Sequence, residues 1–378
     1  MTVEWLYNEE LNTLGHVAKL KIDGHTAISP QHALTIQDID AFTTANVKTT
    51  SDNIVISGES IDYATFQGLG KQATITDALT ERLENKIIPD RINFVYSRIP
   101  SDYKVNNSIH PVLNVDDLQA SALVGAQLDV NASGIIPPMP NGLRSYKVFK
   151  RILDRTKIEI QTFNKKKEII GLIPKTDHLD LIPLMIKDYE KLDVDIFAID
   201  FCGAYLPRAL IRTTVRAIRE TRKIKNKKEP KDKHYYLHIF DSASCVKTTS
   251  PTTAITDILT HAYGVDSTSG VMWGGGKLDR NKLRYYNMVD YGAYSIGRMN
   301  EFGVTAPFQI PEIPTRAYKI LRAHRIIDYT NDCKTNITEK ISNADQTNNY
   351  ASYLNSKTRA KEQVTNILLD IKEIKAHI

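Results

Sequence analysis

Alternating apolar and polar positions make the first part of the chain strand-rich. Val17-Ala-Lys-Leu-Lys-Ile alternates, Asp23-Gly24 supplies a tight turn, and His25-Thr-Ala-Ile returns. An Asp-Gly pair between two such runs is a strong hairpin signal, because both turn residues must take the left-handed backbone. Asn53-Ile-Val-Ile-Ser and Ile92-Asn-Phe-Val-Tyr predict short buried strands. Thr76 to Leu83 predicts a modest helix, capped by Thr74 or Thr76.

From about residue 120 the pattern becomes strand, loop, helix, repeated. Leu128-Asp-Val-Asn reads as a strand end, and Ser145 to Thr156 carries helical spacing at Val148, Ile152 and Leu153. Ile169-Ile-Gly-Leu-Ile reads as a buried strand stopped by Pro174, and Leu179 to Leu192 as a helix. Val194 to Asp200 predicts the next strand, and Pro207 opens a helix running to about Ile224. Tyr235 to Phe240 is a further strand. Ser250-Pro251 then predicts a helix over Thr252 to Tyr263, because serine caps and proline suits the first helical turn. Gly264-Val265-Asp266 returns to the sheet, and Lys357 to Ala376 forms a long amphipathic helix at the end.

Strands alternating with helices imply parallel βα units. The choice lies between a doubly wound open sheet and a closed barrel. No GxGxxG or GxxxxGK[ST] follows a strand, which removes the main support for a nucleotide-binding sheet. The expected fold is therefore α/β, a (β/α)8 TIM-like barrel with a β-rich N-terminal portion. Residues 1–330 would form the barrel and 331–378 a C-terminal helical extension.

Composition narrows the class. With 42% hydrophobic and 25% charged residues the chain sits near globular averages, against wholesale disorder or a collagen-like sequence. No apolar run is long enough to span a bilayer, and Met1-Thr-Val-Glu-Trp lacks the basic start of a secretory signal. Cys202, Cys245 and Cys333 form no CxxC pair, which fits a reducing compartment and a cytoplasmic location. The net charge of +5 is mild, but its distribution is uneven. Basic residues crowd Arg219 to Lys233, including Lys227 and Lys228. A second group, Lys277, Arg280, Lys282 and Arg284, adjoins Tyr285 and Tyr286 after Gly274-Gly275-Gly276. Such clusters meet phosphates, and aromatics among them suit single-stranded nucleic acid. A solvated helix end explains the first run equally well. The glycine triplet reads as a phosphate cradle or as a plain flexible loop.

In a barrel the chemistry gathers where strands end. Asp129 and Asn131, Asp177 and His178, Asp200, Asp241, and Asp266 fall at the ends of the expected strands. Two carboxylates in one pocket can divide roles, one ionised and one holding a proton. Any single strand-end aspartate also serves to cap a helix or satisfy loop amides. Asp241-Ser-Ala-Ser-Cys245 lacks a nucleophile elbow, Cys245 reads as a buried thiol, and His234 with His238 makes no closed metal set. No metal or cofactor is expected.

Ile169 to about Asn281 resembles the tRNA-guanine transglycosylase superfamily, barrel enzymes that exchange a purine for a 7-deazaguanine base in tRNA or DNA. The likeness lies in Ile170-Gly-Leu-Ile-Pro, in Tyr189-Glu-Lys-Leu-Asp-Val-Asp-Ile-Phe-Ala-Ile, in Ala262-Tyr-Gly-Val-Asp266 and in the opening hairpin ending Ile28-Ser-Pro. It implies double displacement by an aspartate, a guanine or 7-deazaguanine base and a nucleic acid as partners, and a homo- or hetero-oligomer. The family's nucleophile position falls on Ser269, its base-binding loop on Phe201-Cys-Gly203-Ala-Tyr, and its zinc cluster has no counterpart. Asp266 or Asp241 would then attack, with Asp200 or Asp129 holding the base and Asn131, Gly203 and Ser269 lining its pocket. Two other classes stay open: a non-catalytic barrel paralogue partnering an active subunit, and an unrelated barrel enzyme acting on a small phosphorylated substrate.

Overall fold

The computed structural model describes residues 1–7, 9, 12–48, 54–99, 102–105, 108–111, 115–163, 167–226, 234–245, 248–272, 278–342 and 349–377. Three antiparallel strands open the chain, β1 (Thr2–Tyr7), β2 (Val17–Ile22) and β3 (His25–Ile28). The expected hairpin forms, with Ile22 opposite His25 and positive φ at both Asp23 (49°) and Gly24 (80°). That is the backbone a two-residue hairpin turn requires.

Nine further strands supply a nearly closed parallel sheet. Its members in chain order are β4 (Gln31–His32), β5 (Leu34–Thr35), β6 (Ile54–Ser60) and β7 (Ile92–Arg98). A small hairpin, β8 (Asp102–Val105) and β9 (Ser108–Pro111), intervenes before β10 (Gly134–Ile136), β11 (Glu168–Ile173), β12 (Ile196–Asp200) and β13 (Tyr236–Ser242). After β14 (Thr252–Ala254), which lies elsewhere, β15 (Ser267–Gly270) completes the set. The sheet runs β4-β15-β13-β12-β11-β10-β7-β6-β5. Its two ends are consecutive in sequence, and the Ala33 amide between them donates to the Thr268 carbonyl at 2.7 Å. Every ladder in it is parallel.

Helices surround this sheet, which explains why strands such as β7 and β12 are buried along their whole length. They are α1 (Ile36–Ala45), α2 (Tyr63–Gly68), α3 (Ala73–Glu84), α4 (Asp117–Asp129), α5 (Tyr146–Phe163), α6 (Ile182–Glu190), α7 (Arg208–Asn226) and α8 (Pro314–Asn331). α1 starts at a reciprocal cap: Thr35 accepts from the Asp38 amide, and Asp38 accepts from the Thr35 amide. Arg322 of α8 reaches the same Asp38 and Thr35, locking α8 beside α1.

A second antiparallel sheet joins β14 to β17 (Gly292–Ser295) and β16 (Arg284–Asn287). The chain finishes in α9 (Thr338–Ser342), α10 (Tyr350–Asn355) and α11 (Lys361–His377). Val364, Ile367, Ile371 and Ile374 of α11 belong to the same apolar core as the barrel strands. Arg208 of α7 clasps Asp370 at 2.8 and 2.9 Å.

Three expected elements differ. Leu128-Asp-Val-Asn is no strand: Leu128 and Asp129 end α4, whose buried residues lie all round the helix and leave no polar stripe to read. Thr252 to Tyr263 is not a helix either. Thr252 and Thr253 pair with β17, as β-branched residues readily do, and only Ile258–Tyr263 coils, as a 3₁₀ turn. At α3 the cap position is Gln72, without a side-chain bond, rather than Thr74 or Thr76. Among the described residues no helix is long and apolar enough to cross a membrane.

Candidate functional site

Side chains that meet across the sheet define its lumen. Tyr96 of β7 and Phe240 of β13 are separated by three strands, yet their rings touch edge to face at 5.1 Å. That contact passes through the interior. Two residues further along β7, on the same face because strands alternate, Arg98 also points inward. Its Nη2 donates to both carboxylate oxygens of Asp200, at 2.6 and 2.7 Å, and to Oδ2 of Asp241 at 2.7 Å. All three lie at C-terminal strand ends and are buried.

The local backbone is built for this meeting. Between Ile239 and Ser242, β13 carries one residue more than β15, where Thr268 and Gly270 are the partners. Such a bulge re-aims a side chain. Asp241 sits at φ 55°, and its carboxylate turns to Arg98 and accepts the Met272 amide at 2.9 Å. In the loop after β12, Cys202 (φ 51°) and Leu206 (φ 27°) are also left-handed, and the Cys202 amide donates to Asp200 at 2.7 Å. Strained non-glycine backbone clustered at two neighbouring strand ends marks a place the fold maintains at a cost of about 1–3 kcal/mol per residue.

Electrostatically the cluster is unbalanced. One guanidinium faces two carboxylates. Burial pushes the Asp200 carboxyl up to about 6; Arg98 opposes this and Asp241 adds to it. Asp200 therefore holds a proton up to about pH 6. Cys202, held by Asn141 Nδ2 at 3.0 Å, is also raised by burial and so stays a thiol.

The expected residues divide by face. Asp200 and Asp241 are brought together. Gly203 is beside them, its amide donating to the Asp241 carbonyl at 2.7 Å, with open space where a Cβ would stand. Ser269, buried on β15, has a hydroxyl with no hydrogen-bond partner. Asp266 is at the other end. It precedes β15 instead of closing a strand, and it accepts from Ser29 Oγ and the Leu237 amide, both at 2.7 Å, with His16 at 3.1 Å. It fastens the opening hairpin across the N-terminal end, where Trp5 stacks between His16 and His234. Asp129 and Asn131 are corrected in the same way. Asp129 is the last residue of α4 and Asn131 lies between α4 and the start of β10, where the exposed Asn131 donates its amide to Glu84.

The basic residues are mostly engaged. Arg284 clamps the carbonyls of Ala293, Thr248 and Ser250, and Arg280 pairs with Glu312. Lys282 is exposed, 3.9 Å from Asp279. Tyr285 and Tyr286 lie in the interior of β16, with Arg325 over the Tyr286 ring, so neither offers a free stacking face. Lys227, Lys228, Lys277 and Gly274-Gly275-Gly276 lie outside the described residues. Sequence reasoning missed Arg98; its signal was a lone arginine closing the apolar run Ile92 to Ser97. Among the described residues no group of three or more His, Cys, Asp or Glu is placed to hold a metal ion. No family model matches the chain, and no protein of curated function matches it.

Proposed function

We propose that the C-terminal mouth is a glycosyl-transfer site, replacing guanine by a 7-deazaguanine base in tRNA or DNA through aspartate-mediated double displacement. The observation that carries this reading is the Asp200–Arg98–Asp241 cluster, two carboxylates sharing one arginine nitrogen in the lumen. The reading counts β4 and β5 as two halves of one strand broken at Ala33, which makes the fold a (β/α)8 barrel with its site on the usual face.

Asp241 Oδ2 attacks the anomeric carbon as the bond from sugar to departing base breaks. Asp200, whose carboxyl holds a proton up to about pH 6, protonates the leaving nitrogen. The incoming base returns that proton to Asp200, bonds to the same carbon and expels Asp241. Arg98 neutralises the resting pair and must release Asp241 when the sugar arrives. The nucleotide has to be turned out of any duplex to reach a lumen site.

A non-catalytic paralogue is the second reading, favoured by Ser269 standing where the family's nucleophile falls. The test is incubation of the whole chain with radiolabelled guanine or 7-deazaguanine and tRNA or duplex DNA. Label entering either polymer is expected. No incorporation, with salt-sensitive binding kept, overturns the exchange reading in favour of the paralogue.

A further inference from the structure

Below the carboxylate pair the lumen is polar. Tyr236, His238 and Phe240 alternate onto one face of β13, the face that Phe240 shows to be the lumen. His238 Nδ1 meets Ser267 Oγ at 2.8 Å, which puts Ser267 on that side of β15, and Ser269, two residues on, stands above it toward the mouth. Tyr236 accepts from Gln31 Nε2 at 3.1 Å. Within this stack two polar atoms have no hydrogen-bond partner among the described residues: Nε2 of His238 and Oγ of Ser269. Both residues are essentially inaccessible, at 0% and 1%.

A buried polar atom left unpaired costs about 1–3 kcal/mol, and two of them on neighbouring strands and one face are costly unless something pairs with them. A carbon-lined barrel centre would avoid that cost. Here the His238 ring stacks on Phe240, which lies opposite Asp200 in the ladder and touches the Tyr96 ring across the lumen. Aromatic walls with a small convergent set of polar atoms are the usual make-up of a pocket for a flat ligand. Burial lowers the His238 pKa to about 3, so the imidazole is neutral and offers a donor or an acceptor according to its tautomer. A serine hydroxyl is equally able to do either. Together they match an edge carrying one donor and one acceptor.

We infer that Ser269 and His238 form a base-recognition subsite beneath the carboxylates, hydrogen-bonding the lactam edge (the adjoining N–H and C=O) of a planar oxopurine. The subsite rests on the base-exchange reading and names the part of the site that would choose the base. It also gives Ser269 a role other than that of a weak nucleophile.

Calorimetric titration of the full chain with free guanine tests this, using the wild type, Ser269→Ala and His238→Gln. The wild type binds, and each variant weakens binding by about tenfold, the upper range for one lost hydrogen bond. Ser269→Ala removes only an unpaired hydroxyl, so its thermal midpoint stays at or above that of the wild type and a folding defect cannot account for its loss. Guanine affinity within twofold of wild type in both variants overturns the subsite. The labelled-base incorporation assay reads the exchange reading separately, so variants that bind normally while the wild type incorporates label would sink the subsite alone. A wild type that binds no guanine overturns the subsite too, whatever the incorporation result.

Discussion

Arg98 and Asp200 face each other across the lumen from strands with two others between them, and one guanidinium nitrogen lies 2.6 and 2.7 Å from the two carboxylate oxygens. Arg98→Leu removes the only cation bonded to this buried pair among the described residues and leaves two desolvated carboxylates. The expected loss is about 3–5 kcal/mol in a denaturant titration at pH 7.5. Arg98→Leu with Asp200→Asn and Asp241→Asn should recover much of it, because the uncompensated charge goes too.

The same burial sets a pH dependence. Burial raises the folded-state Asp200 carboxyl from its ordinary value of 3.8 to about 6, so its contribution favours the folded state below the unfolded pKa. That contribution is lost as pH rises through the window from 4 to 6. Asp200→Asn lacks the group. Its thermal midpoint relative to wild type should therefore rise between pH 4 and pH 6.5, whatever the offset between the two proteins.

Acid should act in the opposite sense through histidines. Burial lowers His32 and His238 to about 3 and His261 to about 4, so each is neutral when folded and protonated when unfolded below its usual range. Stability from these groups is complete above about pH 6.5 and falls as pH drops. At pH 5 each costs about 2 kcal/mol relative to pH 7.5. His16 is the exception: burial pulls its pKa down, but the Asp266 carboxylate outweighs burial and raises it. Urea midpoints of wild type and His261→Gln at the two pH values check this; the variant should lose less on acidification.

Gly264 ends the turn Ile258–Tyr263 at φ 80°, and a Cβ there would stand 2.8 Å from the Leu14 carbonyl. Gly264→Ala should cost more than about 1 kcal/mol, since the backbone is strained and a backbone oxygen must move. The change should also loosen the opening hairpin, whose Leu14 amide donates to Ala262. Faster hydrogen exchange at residues 14–22 would register it.

Much of the fold was legible because apolar runs and turn chemistry agreed. Asp23-Gly24 fixed the hairpin, and Ile169 to Ile173 and Ile196 to Ile199 are apolar enough to be read as buried strands. Asp200 and Asp241 could be singled out because a charge closing such a run stands out. β15 could not be read, because Ser267-Thr-Ser-Gly has no hydrophobic signature. That invisibility pulled Asp266 one step too far along the strand. β10 is three residues long, too short for alternation to show, so its place was given to the end of α4. Arg98 was hidden by distance: its partners lie 102 and 143 residues away.

The most direct measurement is label exchange by Asp200→Asn, Asp241→Asn and Asp266→Asn, each expressed per mole of folded protein. With the reaction at the C-terminal mouth, Asp241→Asn abolishes incorporation and Asp200→Asn reduces it by at least a hundredfold, as loss of a general acid does. Asp266→Asn, on the opposite face, keeps the wild-type rate. Incorporation that survives both mouth substitutions and is lost with Asp266→Asn would contradict the assignment of the site.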